Sequence, residues 1–202
     1  MNNLALAYVT CDKYSHIWNE WYDAFLEHWD IELPKYVCGE ELECPFEDFK
    51  HIPHLSVDAE HWTTKLRAQI EQIPEDNIFV WLDDMPMQCN ITLRFKALYD
   101  WFVKNDADSL RIMGRGSNAR YSFEANILSN PLFRLNLNSP YLISYSPNIY
   151  RKEFLLRILQ WDESPWQNEI HGSKRIRPWK RNIFAYHIDG WYTNRIVKGI
   201  SQ

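Results

Sequence analysis

The sequence has few glycines and lacks several short motifs that hold cofactors or metals. Six glycines occur in 202 residues, and neither G-x-G-x-x-G nor G-x-x-x-x-G-K is present, which excludes the two glycine-rich loops that cradle phosphates. The four cysteines form no C-x-x-C pair and the seven histidines form no H-x-x-x-H pair, so we expect no zinc site. Because a chain of this size does not need disulfides, we expect reduced thiols and a cytoplasmic location.

Long apolar segments are also absent. No stretch approaches the length of a membrane-spanning helix, which needs about 20 apolar residues. The apolar run at residues 4–10 follows no basic segment, so we predict a buried strand there instead of a signal peptide. No repeat, low-complexity tract or long linker divides the chain, and we therefore expect a single domain over residues 1–202.

Aromatic residues and an uneven charge distribution are what the sequence does contain. Aromatic residues make up 15% of the chain. Residues 1–100 carry a net charge of -12 and residues 101–202 carry +7, within a total of -5. After His171, seven lysines and arginines face the single anion Asp189. This basic segment is either a solvated surface or the binding site of an anionic ligand.

Strand and helix patterns alternate through the first half of the chain. The predicted order is a strand at 4–10, a helix at 14–29, a strand at 36–38, a helix at 62–73, a strand at 78–82 and a helix at 93–101. Such alternation predicts an α/β fold with a central, mainly parallel sheet flanked by helices. Shorter strands are predicted near 110–113 and 141–145, followed by a helix at 152–159.

Two adjacent carboxylates, Asp83 and Asp84, follow the apolar strand at 78–82. Ligands of open α/β sheets bind at the carboxyl ends of the strands. Mg²⁺ is commonly held by one or two carboxylates together with substrate phosphates. The alternative is a polar loop in which the aspartates cap the next turn. Because residues 85–87 (Met-Pro-Met) make a poor solvated loop, we favour the functional interpretation.

A second strand end, at Thr10, Cys11 and Asp12, is predicted to lie at the same edge of the sheet. Asp12 is either an acceptor for a ribose or base, or a cap for the helix that follows. Lys65 lies on the helix at 62–73 and is either a diphosphate ligand or an exposed cation.

A possible helix start at Ser164 and Pro165 brings an aromatic side chain close to a carboxylate. Trp166 offers a flat apolar surface for a sugar ring. Glu169 lies one helical turn after Pro165 and can act as a general base. The alternative is an ordinary first turn in which the glutamate is stabilised by the helix dipole.

Six segments, spread in order over nearly the whole chain, carry a family resemblance. They are residues 9–15 (VTCDKYS), 61–63 (HWT), 81–85 (WLDDM), 148–155 (NIYRKEFL), 163–175 (ESPWQNEIHGSKR) and 197–199 (VKG). Together they resemble small bacterial and phage glycosyltransferases with a GT-A-type fold, which is a Rossmann-like α/β fold. The acidic pair reads Asp-Asp where metal-dependent members carry Asp-x-Asp.

The resemblance implies a nucleotide-diphosphate-sugar donor and a divalent cation, Mn²⁺ or Mg²⁺. The residues that it places around the nucleotide and its phosphates are Thr10, Cys11, Asp12, Ser173, Lys174 and Arg175. Those that it places at the substrate sugars are Trp62, Asp83 and Trp166, with Asp83 and Glu169 as catalytic groups and Asp84 as the metal ligand. Residues 1–105 would bind the donor, and residues 106–202 would form the acceptor and catalytic half.

The sequence therefore predicts a glycosyltransferase that moves a sugar from a nucleotide sugar to an acceptor hydroxyl. We expect a saccharide acceptor. In one alternative, the acceptor is a hydroxymethylated pyrimidine in DNA, with residues 174–181 along the phosphodiester backbone and Trp179 stacked on a base. In the other, the protein is a non-catalytic carbohydrate-binding module. Many Trp and Tyr residues are typical of such a module, but a buried strand that ends in two aspartates is not.

Overall fold

The computed structural model describes residues 1, 3–53, 62–113, 120–197 and 200–201. Three residues of the family-like segments, namely His61, Lys198 and Gly199, lie outside the described residues. Within the described ranges, no helix has the length and apolar character that crossing a membrane requires. All four cysteines are free thiols, as the sequence predicts.

Eleven short or medium strands and six helices make up the described part of the chain. The strands are β1 (Leu4–Val9), β2 (Lys35–Cys38), β3 (Lys50–Ile52), β4 (Asn77–Leu82), β5 (Ser109–Ile112), β6 (Tyr121–Ile127), β7 (Asn130–Leu135), β8 (Asn148–Arg151), β9 (Ile183–Tyr186), β10 (Ile196–Val197) and β11 (Ile200–Ser201). The helices are α1 (Trp18–His28), α2 (Trp62–Ile70), α3 (Thr92–Lys104), α4 (Lys152–Ile158), α5 (Pro165–Gln167) and α6 (Ser173–Arg175). A 3-10 helix (Asp12–Ile17) precedes α1, a π-helix (Asn168–Gly172) joins α5 to α6, and a second 3-10 helix (Arg177–Trp179) follows α6.

Nine of these strands form one sheet, in the order β3-β2-β1-β4-β8-β5-β9-β7-β6. Strands β3, β2, β1 and β4 pair in parallel, as do β5 and β9. Strand β8 is antiparallel to both β4 and β5, and β7 is antiparallel to both β9 and β6. Seven of the nine strands therefore point the same way, which confirms the predicted mainly parallel central sheet.

The central strands are buried on both faces, which explains their continuous apolar sequences. Successive side chains of a strand point to opposite faces. Leu6 and Tyr8 of β1 and Trp81 of β4 pack on the side of α1 and α3, whereas Ala7 and Val80 pack on the side of α2 and α4. Strands β1 and β4 pair in parallel, with Leu4 opposite Asn77 and Val9 opposite Leu82. Their carboxyl ends therefore meet at one edge of the sheet.

Most of the aromatic residues build the core instead of a ligand surface. The Trp21 ring stacks on Phe25 at 5.2 Å between centroids and meets Trp81 edge-on at 5.2 Å. Such pairs contribute roughly 0.5–1.5 kcal/mol each beyond their burial. Five of the ten tryptophans are buried, and only Trp161 and Trp166 are exposed.

Two of the predicted elements differ in the structure. The predicted strand at 141–145 is wrong: these residues form an irregular loop before β8, and Leu142, Ile143 and Tyr145 are apolar because the loop itself is buried. The predicted helix at 14–29 begins as a 3-10 helix and becomes α-helical only at Trp18.

Candidate active site

A cavity of about 540 Å³ opens at the edge where β1 and β4 end. Its wall combines the residues after β1 and β4, Trp62 of α2, the loop before β8, the segment around α5, and a C-terminal segment. The polar and aromatic lining residues are Thr10, Cys11, Lys13, Tyr14, Trp62, Asp83, Asp84, Ser144, Tyr145, Ser146, Trp166, Glu169, Tyr192 and Asn194. Seven of the residues predicted as site residues are among them: Thr10, Cys11, Trp62, Asp83, Asp84, Trp166 and Glu169.

A short hydrogen-bond chain orients Asp83. The Trp18 indole Nε1 donates to Thr10 Oγ1 over 2.6 Å, and that hydroxyl donates to Asp83 Oδ2 over 2.5 Å. Both Asp83 and Thr10 are buried. The end of β1 therefore fixes the carboxylate at the end of β4.

The two aspartates are costly to ionise in the absence of a cation. Burial, with the neighbouring Asp84, raises the pKa of Asp83 to about 7 although the Thr10 hydrogen bond opposes the shift, and burial raises the pKa of Asp84 to about 6. Asp84 Oδ1 is buried without a hydrogen-bond partner. Among the described residues, no group of three His, Cys, Asp or Glu side chains could hold a metal. With one oxygen unpartnered, the pair could hold a hard cation only if water and substrate phosphate supplied its other ligands.

We expect the stability of the metal-free protein to fall as the pH rises from about 4 to about 7. The raised pKa of Asp83 means that the folded chain keeps a proton that the unfolded chain releases above its ordinary pKa of 3.8, so folding becomes less favourable across that window. Asp83→Asn, which stays neutral, should remove a decline on the order of 2 kcal/mol in the free energy of unfolding. Urea titrations of the wild type and of Asp83→Asn at pH 4.5 and pH 8 measure the free energy of unfolding at each pH. The exposed Asp189→Asn serves as the control, and an unchanged pH dependence in Asp83→Asn would contradict the prediction.

Glu169 lies on the wall across from these strand ends, on a helical segment with a well-defined start. The Ser164 side chain accepts from the Gln167 N–H, the Gln167 side chain accepts from the Ser164 N–H, and Pro165 occupies the first turn, which together make a capping box. Glu169 Oε1 accepts from the Tyr145 N–H over 2.8 Å. Burial raises the pKa of Glu169, although hydrogen bonds from Tyr145 and Ser144 oppose the shift. Trp166 is 62% exposed at the rim of the cavity.

A C-terminal strap, residues 191–195, completes the wall and is absent from the sequence prediction. The Arg195 N–H donates to the Asp84 carbonyl over 2.7 Å, and the Thr193 N–H donates to the Pro86 carbonyl over 3.1 Å. Trp191 is fully buried. The strap brings Tyr192 and Asn194 to the cavity. Only the tertiary structure reveals this contact, because the strap follows no regular pattern.

Three predicted phosphate ligands do not line the cavity. Arg175 forms two hydrogen bonds to Glu163, of 2.7 and 2.6 Å, and lies over the Trp161 ring at 4.0 Å. Ser173 is fully buried and accepts from the Ile143 N–H. Lys174 is exposed and is not among the residues around the cavity.

Asp12 and Lys65 lie beside the cavity instead of within it. The Asp12 carboxylate accepts from the backbone N–H groups of Glu41 and Leu42 and so orders the loop after β2. Lys65 Nζ is 3.9 Å from a carboxylate oxygen of Glu40. It lines a small pocket of about 30 Å³ that shares Thr10, Cys11 and Trp62 with the cavity.

Lys13 was missed by the sequence interpretation although it falls within a family-like segment. It is the one lysine or arginine around the cavity in the part of the chain that the structure describes, and the same cavity is lined by three carboxylates, Asp83, Asp84 and Glu169. Its position directly after Asp12, at the end of a buried strand, could have identified Lys13 as a candidate site residue. The cavity is therefore acidic overall.

Solved structures with the same architecture include enzymes bound to nucleotides. TarS from S. aureus in complex with UDP superposes with a TM-score of 0.62 at 13% identity, over 95% of this chain and 60% of that chain. UDP-glucose pyrophosphorylase complexed with UDP-glucose gives 0.59 at 10% identity, over 95% and 92%. CMP:2-keto-3-deoxy-manno-octonic acid synthetase complexed with CTP gives 0.58 at 15% identity, over 93% and 90%. The fold is GT-A-like.

These similarities are structural. No protein-family model and no curated protein matches the sequence. At identities of 10–15% the likeness establishes the fold alone, and this chain spans 60% of the length of the TarS chain that it matches. The α/β architecture predicted from strand and helix alternation, and the GT-A-like, Rossmann-like fold implied by the family resemblance, are thereby confirmed.

Proposed function

We propose that this protein transfers a sugar from a nucleoside-diphosphate sugar to an acceptor hydroxyl. The observation that carries the proposal is one cavity lined by a buried aspartate (Asp83), a partly buried aspartate (Asp84) and an acidic side chain from another element, Glu169. Support comes from similarly folded proteins solved with UDP, UDP-GlcNAc and UDP-glucose. Open α/β sheets bind such ligands at the carboxyl ends of their strands.

The charges around the cavity favour a donor that arrives with a divalent cation. One lysine among three carboxylates cannot neutralise a diphosphate. Desolvation also disfavours the ionised forms of Asp83 and Asp84, whose pKa values are raised. Asp84, with its unpartnered Oδ1, and Asp83 would hold Mn²⁺ or Mg²⁺. When bound, the cation neutralises the charge that develops on the diphosphate leaving group.

The side chains around the cavity have separable roles in such a transfer. Glu169 takes the proton of the acceptor hydroxyl, because its raised pKa favours proton capture near neutral pH. Lys13 pairs with the diphosphate. Asp83, oriented by Thr10, faces the donor sugar. Trp62 packs edge-on against Tyr145 with 4.6 Å between ring centroids and closes the side of the cavity.

A saccharide acceptor fits the exposed aromatic surface better than DNA does. Trp166 presents its indole at the cavity rim, and aromatic faces pack well on sugar rings. Trp179, the expected platform for a DNA base, is covered by the Arg157 guanidinium at 4.0 Å from the ring centroid. In the basic segment, Arg175 and Arg181 are paired with Glu163 and Asp108.

Calorimetry with UDP, GDP and their sugars in the presence of Mn²⁺ tests the donor site. We expect micromolar to millimolar binding of one donor, and Lys13→Met should weaken it about tenfold, or about 1.4 kcal/mol, because a charge-assisted contact is lost. Lys65→Met removes a cation from the adjoining pocket and should change the affinity much less. No binding across the donor panel, or a larger loss in Lys65→Met, would contradict this assignment.

A second candidate reaction is nucleotidyl transfer, in which a sugar phosphate displaces pyrophosphate from a nucleoside triphosphate. It is favoured by the extent of the superposition, since the chain covers 92% of the UDP-glucose pyrophosphorylase chain. The single lysine of the cavity argues against a triphosphate, whose charge is larger. Pyrophosphate release from UTP or CTP with a sugar 1-phosphate would establish this reaction, whereas nucleoside diphosphate release from a nucleotide sugar supports glycosyl transfer.

A further inference from the structure

Asn168 is a fully buried amide next to the proposed general base, and it does not line the cavity. Its Nδ2 donates to the Ile158 carbonyl and to Glu163 Oε2, each over 2.8 Å. Its Oδ1 accepts from the Tyr145 hydroxyl over 2.6 Å. All the polar atoms of the amide are used, and a buried network that is fully satisfied holds its members in one arrangement.

Asn168 and Glu169 hold opposite ends of the same tyrosine. The hydroxyl of Tyr145 reaches Asn168, while its backbone N–H donates to Glu169 Oε1 over 2.8 Å. Neighbouring residues of a regular α-helix point about 100° apart, and here both belong to a π-helix, a form that is often found at functional sites. In this π-helix two consecutive side chains contact one residue of the facing loop, Tyr145.

The facing loop is held tightly against this π-helix. A Cβ atom added at Gly172 would lie 2.6 Å from Ile143 Cδ1, so a larger residue there would require the Ile143 side chain to shift. The Ser173 hydroxyl accepts from the Ile143 N–H over 2.9 Å. On its other side the loop is anchored by Arg111, which donates to the Tyr141 and Leu142 carbonyls.

We propose that Asn168 is a positioning residue that fixes the Glu169 carboxylate in the cavity by acting through Tyr145. The inference rests on the proposed function, in which Glu169 deprotonates the acceptor. Without the Asn168 amide, the Tyr145 hydroxyl is buried without a partner and the residue shifts to reach another. The backbone N–H of Tyr145 then moves away from Glu169 Oε1. The Glu169 carboxylate loses that hydrogen bond and the orientation that it fixed. Small misplacements of a reacting group cost rate without a loss of binding.

Two variants separate this role from simple support of the fold. Tyr145→Phe removes only the hydroxyl that Asn168 holds, and Asn168→Ala removes the amide. Tyr186→Phe is the matched control, because its hydroxyl is also buried and donates to a backbone carbonyl, that of Ile127, over 2.8 Å.

The first measurement is the Glu169 carboxyl titration, followed by ¹³C NMR in the metal-free protein. The hydrogen bond from Tyr145 lowers the pKa of Glu169, so its loss should raise that pKa in Tyr145→Phe and in Asn168→Ala. The other groups that interact electrostatically with Glu169 are Arg111 and Tyr150, and both are unchanged in these variants. Tyr186→Phe should leave the titration unchanged, and a pKa equal to the control value in both variants would overturn the inference.

The second measurement is turnover in two backgrounds. In the wild-type background we expect each variant to lower kcat about tenfold with donor affinity unchanged. In the Glu169→Gln background we expect no further loss of kcat, because the effects of substitutions that act through one group are not additive. An equal tenfold loss in both backgrounds would show a purely structural role and overturn the inference. Wild-type turnover in Glu169→Gln itself would instead refute the base role of Glu169, while the titration would still decide whether Asn168 positions it.

Discussion

Glu169→Gln is expected to lower kcat by a factor of roughly 10²–10⁴ while leaving donor affinity intact. Glutamine keeps the shape of the side chain and a carbonyl oxygen that can accept from the Tyr145 N–H, a bond of 2.8 Å in the structure. It cannot take the proton of an acceptor hydroxyl. The measurement is kcat for nucleoside diphosphate release with a saccharide acceptor, together with the donor Kd from calorimetry.

Glu163→Gln is the matched control for this substitution. Glu163 lies six residues earlier, and its pKa is held below the usual range by two hydrogen bonds from Arg175. Glutamine keeps an oxygen that can accept from Asn168 Nδ2, so this replacement should reduce stability and lower kcat far less than Glu169→Gln does. Wild-type turnover in Glu169→Gln, with the anomeric configuration of the donor retained in the product by NMR, would point instead to a retaining reaction that needs no such base.

Asp84→Asn is expected to abolish the gain in donor affinity that Mn²⁺ provides, a loss of about 10²-fold or more. Asp84 is partly buried, and its Oδ1 atom is inaccessible and has no hydrogen-bond partner among the described residues. An amide in the same place is neutral and a far weaker ligand for a hard cation. Donor titrations with Mn²⁺ and with EDTA measure the difference, which should be large for the wild type and small for Asp84→Asn.

Asp12→Asn provides the comparison, because both positions were predicted at the same sheet edge. The Asp12 carboxylate accepts from the backbone of the loop after β2 and does not line the cavity. We expect its replacement to leave the effect of Mn²⁺ on donor affinity unchanged. A comparable loss in Asp12→Asn would mean that the loop, and not the aspartate pair, controls cation binding.

The fold was predictable from the sequence where strands are buried on both faces. Strands β1 and β4 are continuous apolar runs because helices cover each side of the sheet, and Asp83 marks the end of one of them. Strand β6 was missed although its sequence, YSFEANI, alternates apolar and polar residues; four of its seven residues are exposed, so it forms no continuous apolar run. Strand β8 has only four residues and begins at a buried asparagine, Asn148, which a pattern of apolar residues cannot identify.

The site was predictable from the sequence where its residues directly follow strands. Thr10, Asp83 and Asp84 follow strands, and strand ends share an edge, so their proximity follows from topology. The run of charge around Arg175 suggested phosphate binding, but its partner Glu163 lies twelve residues away, and sequence patterns do not show that pairing. The strap at 191–195 reaches Asp84 across more than one hundred residues, a contact that only folding specifies.

The position of β9 in the sheet has a consequence for the growing chain on the ribosome. Strand β9 (Ile183–Tyr186) is inserted between β5 and β7, so the β6–β7 hairpin has no strand of the main sheet to join until residue 186 has been made. From the time each is made until residue 186 follows, β5 and β7 each present an unpaired edge, and unpaired edges invite pairing between chains. Expression of this protein should therefore be sensitive to the supply of chaperones that shield nascent strands, even where the finished fold is stable.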